Sequence, residues 1–141
     1  MATYIVDDGG DNSNGSSWAT AYTSVNALDT AVALASGDIV HFGHDSVCQA
    51  TNVSSNIIGG PASGAPVLFI SATQGSSPAT YQASTTAQID TTEAATYDIS
   101  LDGSFALYGM SLKSGRSITI AADSDKIQAA EGALHELILF L

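Results

Sequence analysis

Residues 3–43 read TYIVDDGGDNSNGSSWATAYTSVNALDTAVALASGDIVHFG, and this stretch decides the fold. The β-branched and aromatic residues Thr3, Tyr4, Ile5 and Val6 predict a strand. Residues 7–17, rich in Gly, Asn, Asp and Ser, predict a loop. Val25, Leu28, Val32 and Leu34, with alanines between them, fit one apolar face of a helix over residues 25–35. Ser24 suits its N-cap, because a hydroxyl there can accept from an exposed backbone N–H. Gly37 suits the C′ position, where a left-handed residue ends a helix. Ile39, Val40, His41 and Phe42 predict the second strand.

Working outward, Val67 to Ile70 form the next clear strand, directly after Pro66. A weak strand is expected within residues 53–58, and residues 71–86 read mostly as loop. Short apolar runs follow at 99–101, 106–112 and 117–120, separated by Asp102-Gly103 and Ser114-Gly115. Their starts recur about every ten residues, as successive sides of a coil would. Such coils bury their interior only by stacking on one another. The spacing also fits an antiparallel β-sandwich or barrel. One β-rich domain is expected, with residues 1–43 as a strand-helix-strand cap and residues 44–141 as β coils truncated at the C-terminus. Leu28 and Val32 should be buried and Asp29 exposed.

The order strand, Gly/Asn/Asp loop, Trp18 anchor, helix and second strand resembles the N-terminal segment of right-handed parallel β-helix proteins. These include pectate-lyase-like enzymes and bacteriophage spike, fibre and capsid-surface proteins. The resemblance is carried by the first third of the chain. It implies a mainly β fold: a short right-handed parallel β-helix with an N-terminal capping helix. It also implies a virion structural role, as a capsid decoration, fibre or tail spike component. The partners so implied are other virion proteins or identical subunits in a homo-oligomer, with a host surface glycan as a further ligand.

Composition narrows the function classes. Lys113, Arg116 and Lys126 are the only basic residues against 14 acidic ones, for a formal charge of −11. Such an acidic protein repels nucleic acid phosphates and anionic membranes. No apolar run approaches the length needed to span a bilayer. Cys48 is alone, so no intrachain disulfide framework exists, and it reads as a small buried apolar group. No secretory signal is visible, which fits assembly in a host cytoplasm and a final place in the virion.

No set of residues completes a catalytic site, and no cofactor or metal is expected. Asp7, Asp8, Asp11, Asn12 and Asn14 could offer oxygens to calcium, but the spacing lacks the EF-hand pattern and its closing Glu. A solvated turn with local Asx hydrogen bonds is the simpler reading. His41 and His44, at i and i+3, would face opposite sides of a strand unless Gly43 breaks it, and no third ligand is near in sequence. His135 has no motif around it. Asp98 and Asp102 would share a strand face about 13 Å apart, beyond the separation glycoside hydrolysis uses. Asp123 and Asp125 flank Ser124 in a turn. Lys113 and Arg116 flank Ser114-Gly115, where a lyase would need a base and an acidic sugar. Trp18 and Tyr22 suit a packing anchor better than a sugar-stacking platform. The chain is therefore expected to be no enzyme, with a polysaccharide lyase or glycoside hydrolase, and a glycan-binding module, as the alternatives.

The last eight residues are nearly all apolar. Leu137, Leu139 and Leu141 would fall on one face of a strand, and Leu134, Ile138 and Phe140 on the other. Both faces then need cover, so these six residues are the expected subunit interface.

Overall fold

The computed structural model describes residues 1–45, 47–49, 57–77, 79–82, 87–90, 99–113 and 118–121. In chain order the elements are β1 (Thr3–Val6), α1 (Val25–Ala31), β2 (Ile39–Gly43), β3 (Val47–Gln49), β4 (Ile57–Gly59), β5 (Val67–Ala72), β6 (Gln88–Asp90), β7 (Ile99–Asp102), β8 (Phe105–Tyr108), β9 (Ser111–Lys113) and β10 (Ile118–Ala121). The chain is mainly β. Its strands form a four-stranded sheet, β1-β2-β5-β8, and two three-stranded sheets, β3-β6-β9 and β10-β7-β4. Every pairing between these strands is parallel. The antiparallel sandwich is therefore corrected: among the described residues, the antiparallel contact is the isolated bridge Ala72–Tyr81.

From β2 onward the chain visits the three sheets in strict rotation and adds each new strand beside the one laid down a circuit earlier. All three sheets feed one apolar cluster. The first supplies Val6, Val40, Phe42, Val67, Phe69 and Phe105; Ile89 comes from the second; Ile58, Ile99 and Leu101 come from the third. The period-2 alternation of a strand does this sorting. In β5, Val67 and Phe69 are buried while Leu68 and Ile70 lie half-buried on the other face. Three phenylalanines step diagonally across β2, β5 and β8. The Phe42 and Phe69 rings are 5.1 Å apart, and Phe69 and Phe105 are 5.2 Å apart, within the range of favourable aromatic pairs.

The helix caps as expected at its start, where the Ser24 hydroxyl accepts from Ala27 N–H at 3.1 Å. It ends earlier than the 25–35 reading. Val32 is already extended, at φ −136°. Leu34, placed on the helical face by sequence, instead reaches the core from extended chain. Gly37 has the positive φ expected of it, +78°, but it serves the turn into β2, where its N–H donates to Ala65 O. Leu28 is fully buried and Val32 packs half-buried against the cluster. Asp29 is a correction: it is half-buried, and its Oδ1 accepts from Gly59 N–H at 3.0 Å, tying α1 to β4.

The open edge of β1 is satisfied by the loop that follows it. Ile5 N–H donates to Gly15 O, Tyr22 N–H to Ile5 O, and Asp7 N–H to Tyr22 O. Edge protection of this kind prevents further strand pairing there. The turn before β2 is pinned by Asp38, only 3% exposed. Its carboxylate accepts from Ala2 N–H at 2.6 Å and from Ala35 N–H at 3.0 Å. The Ala2 bond is the main reason its pKa lies below the usual carboxylate value; burial works against it.

Because the folded pKa is depressed, this contribution is complete above the ordinary carboxylate pKa and is lost as pH falls through the folded value. Asp38→Asn should cost roughly 1.5–3 kcal/mol at neutral pH, the range for hydrogen bonds to a charged group. In urea denaturation the gap from wild type should narrow as the buffer is taken to about pH 3 and below. A gap independent of pH would contradict this role.

Candidate functional site

The six residues of the expected interface, Leu134, Leu137, Ile138, Leu139, Phe140 and Leu141, lie outside the described residues. So do Asp98, Arg116, Asp123, Asp125, Lys126 and His135. Asp102 is exposed at the end of β7, and Lys113 is exposed at the end of β9, in register with Asp90 of β6.

The outer face of the four-stranded sheet is one candidate surface. Register sets Ile5, His41, Ile70 and Tyr108 in one row across the strands, and Thr3, Ile39, Leu68 and Ala106 in the next. Their neighbours along each strand point into the core, so these rows face away from it. The two rows carry no carboxylate, on a chain of net charge −11. Ile39, His41, Leu68, Ile70 and Tyr108 are each half-buried. Burial lowers the pKa of His41, and its Nδ1 is buried without a hydrogen-bond partner. The imidazole is thereby held neutral, which keeps the face uncharged.

A second constellation forms where three segments meet beside the end of β1. The chain after β5 turns back on itself: Thr73 N–H donates to Thr80 O, Gln82 N–H to Ser71 O, and the Thr73 hydroxyl to Gln82 Oε1 at 2.8 Å. Three bonds tether this turn to the first third of the chain. Gln74 N–H donates to His44 Nδ1 at 3.2 Å. Gln74 Nε2 donates to Asp7 Oδ1 at 3.0 Å. Trp18 Nε1 donates to Ser76 O at 2.7 Å. Asp7 is 1% exposed, and its Oδ1 also accepts from Gly9 N–H at 2.9 Å. Sequence reading missed this cluster, because Gln74 and Ser76 sit in a polar loop with no motif and are joined to Asp7 and Trp18 only by the fold.

The Gly-rich loop is held by local bonds. Asp11 Oδ1 accepts from Ser13 N–H and Asn14 Oδ1 from Ser16 N–H, each at 2.9 Å, while Asn12 Oδ1 accepts from Thr23 N–H at 2.7 Å. The Ser13 hydrogen bonds lower the Asp11 pKa. These are the Asx contacts of a turn, with the side-chain oxygens engaged by the backbone. No group of three or more His, Cys, Asp or Glu gathers as a metal site among the described residues. His41 lies on the outer sheet face and His44 turns to Gln74, so the structure gives the two histidines different surroundings. Tyr22 is 5% exposed and joins the core cluster, and Trp18 is tied to Ser76. Both act as packing anchors here. The chain matches no family model, no curated protein and no solved structure in comparisons with each.

Proposed function

We propose that this chain is a non-enzymatic bacteriophage virion structural protein, built as a short right-handed parallel β-helix that assembles on identical or other virion subunits. The observation that carries the reading is the strict rotation of the chain among three parallel sheets around one core. Parallel strands joined by crossovers are right-handed in nearly all proteins, which supports the hand. The β1–α1–β2 segment, which carries the family resemblance, packs Val25 and Leu28 into the core as a plug would. The acid-free aliphatic face of the four-stranded sheet supports assembly, since like-charged acidic subunits meet most readily where neither carries charge.

Assembly is tested on the full chain by the mass of the native particle. The wild-type chain should sediment as an oligomer or co-purify with a virion. Ile138→Asp combined with Phe140→Asp should give soluble monomer or block incorporation. If the double variant keeps the native particle mass and stability, that segment is not the interface. A wild-type monomer absent from virions defeats the structural reading. Release of unsaturated sugar or reducing ends from a polysaccharide panel would replace it with the enzymatic one.

A further inference from the structure

We propose that His44 is a pH-sensitive clasp on the turn at residues 73–77, released when its Nδ1 exchanges the Gln74 backbone N–H for the Asp45 carboxylate. This does not depend on the virion reading. Two groups contend for one nitrogen. Gln74 N–H donates to Nδ1 at 3.2 Å, and Asp45 Oδ1 lies 3.6 Å from the same atom. A ring nitrogen accepts a hydrogen bond only through a bare lone pair, and it donates to a carboxylate only when it carries a proton. The two contacts are therefore mutually exclusive. In this structure Nδ1 accepts, so the imidazole is neutral and the turn is held.

A proton from solvent that binds Nδ1 removes the lone pair, frees Gln74 N–H to water and turns His44 toward Asp45 as an ion pair. The direction follows from the geometry: the clasp is closed on the alkaline side of histidine titration and open on the acid side. Histidine is the side chain whose protonation changes across mildly acidic pH. Of the charged groups around the clasp, Asp45 lies on His44's own segment, and Asp7 at the end of β1 holds the Gln74 side chain. Residues 73–77 carry no charge. Carboxylates lose their charge at lower pH, so the Asp7 tether persists while the His44 tether is lost. Opening therefore loosens the turn in steps, and it relaxes the seat that Ser76 gives to the Trp18 indole.

The experiment reads the Gln74 amide and Trp18, the only tryptophan in the chain. Between about pH 7.5 and about pH 5, the protection factor of Gln74 N–H should fall roughly tenfold, the worth of one net hydrogen bond, and Trp18 emission should shift to the red. In His44→Gln the amide oxygen accepts at every pH, so protection should stay constant over that range. His41 remains in both proteins, so its own titration cancels in the comparison. Asp45→Asn keeps the clasp but removes the receiving carboxylate, and its opening should move to lower pH. Constant Gln74 protection in the wild type would overturn the proposal. So would a fall in His44→Gln that parallels the wild type, or an opening midpoint unmoved by Asp45→Asn.

Discussion

Phe69→Ala is expected to destabilise the chain by about 3–5 kcal/mol, the usual cost of deleting a buried phenyl ring. Phe69 is fully buried at the centre of β5. It touches both other rings of the stack, Phe42 at 5.1 Å and Phe105 at 5.2 Å. The strand register explains why the rings can meet. Phe69 pairs with Val40 and Val67 with Phe105, so each phenylalanine is offset by one inward position from the next. Phe42 pairs with the small Ser71, which leaves room for its ring to lean toward Phe69. Removing the middle ring strips both outer ones of a partner and opens a cavity shared by three strands. Phe42→Ala, at one end of the stack, should cost less. Urea unfolding followed by far-ultraviolet circular dichroism measures both. A loss below about 1 kcal/mol for Phe69→Ala would mean that the core collapses around the gap and that the stack is not its organising contact.

This stack was only partly legible in the sequence. The strands bearing it stand out because Ile39 to Phe42 and Val67 to Ile70 combine β-branched residues with alternation. The three-residue strands β3, β6 and β9 do not stand out, since three residues are too few to display a period. Residues 106–112 read as one run, yet the structure divides them into β8 and β9 around Gly109, whose φ of +60° turns the chain from one sheet to another. The weak strand expected within residues 53–58 is found at Ile57–Gly59, with residues 51–56 outside the described part. The start of α1 was legible through Ser24, a local signal. Its end was not, because Leu34 suits a helical face and an extended approach to the core equally, and packing chose the second. The clasp could not be foreseen at all. Nothing near His44 in sequence marks Gln74 as its donor, and only the pairing of β2 with β5 brings the ends of those strands together.

Leu28→Ala should cost about 2–5 kcal/mol, because the helix has little to hold it apart from burial. Seven residues are too few to form a stable helix alone in water, and α1 has no acidic residue in its first turn and no basic one in its last. What fixes it is the Ser24 cap, the Asp29 bond to Gly59 N–H, and the insertion of Val25 and Leu28 into the same cluster that holds Phe42 and Phe69. The two polar contacts are each worth about 1 kcal/mol, so the apolar pair decides. If α1 is the plug of the core, losing the Leu28 side chain should destabilise the sheets together with the helix, and one cooperative transition should shift as a whole. The helical signal melting away from an unshifted β transition would instead show an appended helix. A loss under about 0.5 kcal/mol would show that α1 does not cap the core. Pairing Leu28→Ala with Phe69→Ala tests the same point independently. Residues of one packed cluster couple, so the combined loss should depart from the sum of the two by about 0.5 kcal/mol or more, whereas simple additivity would place the helix outside the core that Phe69 organises.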